Sequence, residues 1–230
     1  MVKHRLLILP QLGAVGINAS AVRQRTGFRV QFGPILAADI PAYVKDGYKK
    51  TREMSTVRFP LRDRLVLTPM EINPALKKYP LFAVAVLLLF GLEREGILFS
   101  NAWNGGLPFL LLGLVSLLTG ALITPVLLPF IPFRSFAIKG WITGMAAVFL
   151  ASLAPVIAAA QRDLLLLIIS YLLFPALSSY IALQFTGSTT YTGMSGVKKE
   201  LKLGVPLYIG LAAISVLVLL IFKLKDVGLL

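Results

Sequence analysis

Between Leu107 and Phe133 the chain runs for 27 residues without one charged side chain. A helix rises about 1.5 Å per residue, so such a run is long enough to cross the roughly 30 Å hydrocarbon core of a bilayer. Similar runs elsewhere predict five membrane helices, at about 76–99, 107–129, 140–160, 164–185 and 205–222. The first is expected from about Leu76 to Leu92 and as far as Phe99, with Lys77 and Lys78 snorkelling to the cytoplasmic side. With 57% hydrophobic and only 14% charged residues, the chain is too apolar for a soluble domain of its length. Helices are implied because a backbone in lipid has to satisfy its own hydrogen bonds. Pro125, Pro129 and Pro132 should kink or end the second helix.

The formal net charge of +13 would suggest nucleic acid in a soluble protein, but membrane topology changes its meaning. Of the 23 Lys and Arg, 14 precede residue 79. The positive-inside rule therefore places the first segment in the cytoplasm, with anionic lipids rather than nucleic acid as its nearest partners. Five crossings put 19 basic residues inside and four outside, with the C-terminus on the far side of a cytoplasmic (inner) membrane. Leu6 to Leu9 is too short for the apolar core of a signal peptide, so insertion is expected to begin at the first internal helix. The sequence has no cysteine, which excludes disulfides and thiolate metal sites within it, and the lone His4 cannot build a metal centre.

The first 75 residues have a different pattern. An apolar run ending at Leu9 reads as a strand, followed by a turn over Gln11 to Gly16. Asn18 caps a short helix that stops at Gly27, and Phe28 to Phe32 alternates as a second strand. Gly33 and Pro34 turn the chain, and Asp39 with Pro41 opens a helix closed by Gly47. This β-α-β-α order predicts part of a Rossmann-like α/β domain over 1–48, a basic linker over 49–75 with a further short strand at Leu65 to Leu67, and a transmembrane domain over 76–230. Two strands and two helices cannot cover both faces of a parallel sheet, so the missing part is expected upstream or on another subunit.

Several features have both a chemical and a packing reading. Gly140 and Gly144 form a GxxxG that Ala147, Ala151, Ala154 and Ala158 extend, and Ser116, Gly120 and Thr124 recur every four residues. Close helix packing is expected of both stripes. The charge-free helix interiors argue against an ion-coupled carrier. Glu93, Arg94 and Glu95 read as a solvated helix exit. The polar run Thr186 to Glu200 is either a linker capped by Ser195 or a loop whose hydroxyls and lysines hold a phosphate or the edge of a large cofactor. The turns at Gln11 to Gly16 and Gly33 to Asp39 both follow strands, and so lie at the carboxyl edge where α/β folds bind ligands. Gly13-x-x-Gly16 is not the dinucleotide fingerprint, and Asp39 reads as a helix cap.

Certain strings are more specific. Leu-Ile-Leu-Pro-Gln-Leu-Gly-Ala (7–14), Thr-Gly-Phe-Arg-Val (26–30) and Phe-Gly-Pro-Ile-Leu-Ala-Ala-Asp-Ile-Pro-Ala-Tyr (32–43) resemble the corrinoid-binding domain of the mercury-methylation corrinoid protein family. Val-Arg-Phe-Pro-Leu-Arg-Asp-Arg-Leu-Val-Leu-Thr-Pro (57–69) resembles the stretch entering that family's membrane domain, and residues 185–200 resemble its last cytoplasmic loop. A weaker similarity links 7–43 to the corrinoid iron–sulfur proteins of acetyl-CoA synthesis.

The resemblance implies a membrane-anchored methyltransferase that carries a methyl group on the cobalt of a corrinoid (cobalamin), gives it to mercuric ion, and is reduced by a ferredoxin-like partner. It implies corrinoid contacts at Gln11, Leu12, Gly13, Ala14, Gly33, Pro34, Ala37, Ala38, Thr189 and Thr190. The family's cap helix, with Asn-Val-Trp-Cys and its cobalt-facing Cys, has no counterpart here, and Trp103 and Trp141 lie in the membrane region. No catalytic residue and no metal ligand is therefore assigned, and activity is expected to need a chain or segment supplying the missing N-terminal half. Two alternatives stay open: a catalytically empty membrane anchor or assembly subunit, and a small transporter.

Overall fold

A computed structural model describes residues 4–56, 60–93, 96–185 and 194–228. The chain divides into two compact units, Met1–Phe59 and Pro60–Leu230.

In the first unit, strand β1 (Leu6–Leu9) leads through a 3-10 turn (Gln11–Gly16) to helix α1 (Ala19–Thr26) and strand β2 (Arg29–Phe32). The strands pair in parallel, Leu6 opposite Arg29 and Leu9 opposite Phe32. The expected caps are present: Asn18 Oδ1 accepts from the Ala21 N–H at 3.1 Å, and Gly27 closes the helix at φ 74°, a left-handed conformation that glycine adopts without a Cβ clash. A second 3-10 turn (Ala37–Asp39) enters helix α2 (Ile40–Lys45), and Glu53–Ser55 forms a third. Asp39 stands at the start of α2, but its side chain makes no capping hydrogen bond. The β-α-β-α order is as read, but the sheet of this unit has two strands among the described residues, which does not show the partial Rossmann-like domain expected.

The second unit is built from helices: α3 (Leu61–Gly91), α4 (Phe99–Leu118) continued by a π turn (Thr119–Ile123) and α5 (Thr124–Leu127), α6 (Phe136–Ala151), α7 (Pro155–Ala160), α8 (Leu164–Gln184) and α9 (Met194–Asp226). Strands β3 (Leu92–Glu93) and β4 (Gly96–Ile97) pair antiparallel between α3 and α4. Among the described residues four helices are long and apolar enough to cross a membrane: Leu61–Gly91, Phe99–Leu127, Leu164–Gln184 and Ser195–Asp226. With 77% of the structure helical, this is the architecture of an α-helical membrane protein.

Three boundaries differ from expectation. Helix α3 starts at Leu61, so the later part of the segment read as basic linker, with its short strand at Leu65 to Leu67, is helical and belongs to the second unit, while its earlier part stays with the first. Pro69 and Pro74 lie inside it, and proline breaks a helix only if its freed carbonyls and ring clash are not accommodated. Helix α9 starts at Met194 rather than near 205, which turns the end of the expected loop into helical turns. The third pass is not continuous: α6 stops at Ala151, and Pro155 restarts the chain as α7. At 16 residues α6 alone spans about 24 Å, which is why only four helices meet the length requirement.

Glycine notches set the packing. A Cβ on Gly113 would lie 2.6 Å from Phe82 Cε1 and one on Gly105 2.9 Å from Phe90 Cδ1, so α4 receives two rings of α3 where it has no side chains. On α6, a Cβ on Gly140 would lie 2.6 Å from Ala182 Cβ and 2.7 Å from Ser179 Cα, and one on Gly144 2.9 Å from Pro175 Cα, so α6 and α8 meet backbone to backbone. The expected packing role of the GxxxG is thus seen, although Ala154, beyond the break, is exposed. Ser116, Gly120 and Thr124 are buried as well, and a Cβ on Gly120 would lie 2.6 Å from the Ser178 carbonyl. Phe90, Phe109 and Phe174 form the aromatic centre, with ring separations of 4.8 and 5.9 Å.

Because the Gly140 site is walled by backbone, Gly140→Ala should cost about 1–3 kcal/mol. Gly210→Ala, with nothing within 4 Å of its added methyl, should be neutral or stabilising by up to about 1 kcal/mol. Thermal unfolding of the two variants in the same detergent compares them.

Candidate functional site

In the first unit the two turns that follow the strands are joined. The Gln11 N–H donates to the Pro34 carbonyl at 2.9 Å, and the Gly33 N–H donates to Leu9 O at 2.9 Å, which brings Gln11, Leu12, Gly13 and Ala14 beside Gly33 and Pro34. Gly33 and Pro34 are buried, and a Cβ on Gly33 would come within 3.0 Å of Ile8 Cγ2, so this glycine serves internal packing. Leu12, Ala37 and Ala38 are exposed, and Gly13 and Ala14 half-buried. Thr189 and Thr190 lie outside the described residues.

Residues not singled out from the sequence complete this edge. Lys50 Nζ donates to Gln11 Oε1 at 3.0 Å, the Ile35 N–H donates to Met54 O at 3.0 Å, and Gln31 Nε2 donates to the hydroxyl of buried Tyr43 at 2.9 Å. Lys50 and Met54 sat in the expected linker, where nothing in spacing or composition marked them. The edge is therefore a small surface of glycine, alanine and exposed leucine, with a polar group anchored by Lys50.

In the second unit a cluster of polar groups lies at each end of the bundle. At one end lies the finish of α5, and its chemistry follows from proline. Pro129 and Pro132 have no N–H, so the carbonyls of Pro125 and Leu128 have no donor four residues on. Arg64 supplies one to Pro125 O at 3.2 Å and another to Val126 O at 2.7 Å, and Lys139 Nζ donates to Leu128 O at 2.5 Å. Both cations sit at the negative end of the helix dipole, where charge-assisted hydrogen bonds are strongest. Arg64 is buried in doing so. At the same end Glu200 caps α6, accepting from the N–H groups of Phe136 at 3.3 Å and Ala137 at 3.1 Å and from the Ser135 hydroxyl at 3.1 Å.

At the opposite end Lys223 lies 3.7 Å from Glu93 and 2.9 Å from Asp226, and Asn101 donates to Glu93 at 3.3 Å. Glu93 is thus tied into the bundle rather than being a bare solvated exit; Arg94 and Glu95 lie outside the described residues. The two sets of contacts join the start of α3 to the end of α5, and the end of α3 to the end of α9. The ends of α3 and α9 therefore lie at the same end of the bundle.

Among the described residues no three His, Asp or Glu side chains gather as a metal-ligand group.

Arg64→Met should lower stability by about 2–3 kcal/mol, since it strands two carbonyls at the end of α5, one of which proline has already left without a donor. Adding Pro129→Ala, which returns an N–H to Pro125 O, should recover part of that loss; a double-mutant cycle of thermal unfolding in detergent measures it. Comparison with protein-family models, with curated proteins and with solved structures found no match to this chain.

Proposed function

We propose that this chain is the membrane-anchored portion of a corrinoid-dependent methyltransferase of the mercury-methylating kind. The observation that carries the reading is the hydrogen bond from Gln11 N–H to Pro34 O, which joins two loops at the carboxyl edge of a parallel β-α-β unit. The surface around that bond is apolar and built from small residues: Leu12 is 54% and Leu36 48% exposed, next to Ala37 and Ala38. Such a surface fits a broad, flat macrocycle, and backbone amides with Lys50 and Gln11 can meet its amide rim. When bound, the corrinoid would supply a cobalt centre carrying the methyl group destined for mercuric ion. This chain's own part is to hold one side of the macrocycle and tether it to the bilayer.

The cobalt-facing thiolate has to come from a segment that these 230 residues do not include, since they hold no cysteine. The same fact, with a two-stranded sheet, favours the second reading, a catalytically empty anchor or assembly subunit. The remaining parts of the proposal are a ferredoxin-like reductant as partner, a cytoplasmic membrane as location, the N-terminus inside and the C-terminus outside. The 19-to-4 division of basic residues supports that orientation.

The chain joined to a segment bearing Asn-x-Trp-Cys should bind cobalamin, read as stoichiometric cobalt and a corrinoid absorption spectrum in the purified membrane protein. Ala38→Glu, at an exposed position, should weaken binding about tenfold, a cost of about 1.4 kcal/mol. No cobalt with the segment restored would leave the empty anchor. For orientation, alkaline phosphatase fused after Val227 should be active and the same fusion after Gln184 inactive; the reverse pattern would invert the topology.

A further inference from the structure

A groove runs between the starts of α6 and α9. At its mouth a cavity of about 850 Å³ is lined by Arg134, Ser135, Lys139, Ser195, Lys199 and Glu200, with Phe133 and Phe136 behind them. Further along the same two helices a second cavity of about 250 Å³ shares Ser135, Ile138, Glu200 and Leu203 with the first and adds Trp141, Leu207 and Tyr208. The groove is therefore cationic at its mouth and apolar along its length.

The charges at the mouth do not cancel. Both oxygens of Glu200 are engaged by the first turn of α6 and by Ser135. Arg134 and Lys199 are exposed and form no ion pair among the described residues. Lys139 gives one of its three protons to Leu128 O and keeps two. Three cations against one committed carboxylate leave a site that favours an anion. The trough below is open, with Ile138 46%, Leu203 67% and Leu207 56% exposed, and only an occupant with an apolar tail would use both parts.

We infer that this groove binds an anionic phospholipid, its phosphate held by Arg134, Lys139 and Lys199 and one acyl chain lying along Ile138, Trp141, Leu203 and Leu207. The inference rests on the membrane placement of the bundle, not on the corrinoid reading. A free phosphate would satisfy the mouth alone and leave the apolar trough unused. The charge of the headgroup also complements the basic end of the bundle, as basic residues near a membrane surface attract anionic lipid.

Trp141 is a built-in reporter, because Trp103 is the other tryptophan of the chain and Trp103→Phe removes its signal. That variant is reconstituted with chain-brominated phosphatidylglycerol or chain-brominated phosphatidylcholine at equal, low mole fraction. The brominated phosphatidylglycerol should quench Trp141 roughly twofold or more better than the phosphatidylcholine, as expected for local enrichment by basic residues. Arg134→Gln with Lys199→Gln should erase the difference. Equal quenching by the two lipids, or a preference that survives the double substitution, overturns the proposal. So does loss of the preference on adding inorganic phosphate at constant ionic strength, which would make this a free-phosphate site. Absence of quenching even in fully brominated phosphatidylcholine would instead remove the membrane placement itself.

Discussion

Each of the long passes carries a proline inside or at the start of a helix: Pro69, Pro74 and Pro80 in α3, Pro108 and Pro125 in the second pass, Pro155 in the third, Pro175 in α8 and Pro206 in α9. Inside a helix each removes a backbone donor and leaves a carbonyl that in hydrocarbon has no water to turn to, whereas Pro155, at the start of α7, costs the helix no bond. The bundle is arranged around that deficit. Where Pro129 and Pro132 end the second pass, Arg64 and Lys139 are drawn onto the freed carbonyls, and this sets α3 and α6 against the end of α5. Ahead of Pro125 the helix widens into a π turn, and Thr124 bonds back to Thr119 O at 2.9 Å. Tyr79 donates to Leu110 O at 2.7 Å, which ties α3 to α4.

Small residues then decide how closely the helices approach. Between helices in lipid there is little hydrophobic gain, so contact has to come from packing and hydrogen bonding. The glycines of α4 and α6 give their neighbours that contact, and hydroxyls add to it: Thr124 and Thr143 lie 2.6 Å apart, and Ser179 donates to Ala137 O at 2.6 Å. Polar atoms that would oppose insertion thus become links between passes. Two sets of charged residues stand at the ends, where Glu200 faces the α6 amides and Lys223 faces Glu93 and Asp226.

The first unit follows a different logic. It contains a parallel pair of strands joined through α1, and exposed Leu12 and Leu36 stand in or beside the turns that follow those strands. That edge, rather than the helix interiors, is where the corrinoid reading rests. The basic groove on the bundle is a separate feature with its own chemistry, and each can be present without the other.

Much of this could be read from residue order. Charge-free runs declared the passes, Asn18 and Gly27 bounded α1, and Gly140 with Gly144 marked a close contact, because each of these effects acts within one helix or one turn. Other features depend on partners distant in sequence. Arg64 lay in what read as a linker until the carbonyls of Pro125 and Val126, some sixty residues away, gave it a place. Lys50 reached Gln11 across 39 residues, and Glu200 became a helix cap for Phe136 and Ala137. Local sequence determined which segments are helical and apolar, since backbone conformation and transfer from water are set residue by residue. Which polar groups meet, where α3 begins, and where a cationic groove opens were decided only by tertiary structure, because a freed carbonyl or a charge is satisfied by whatever donor the fold brings to it.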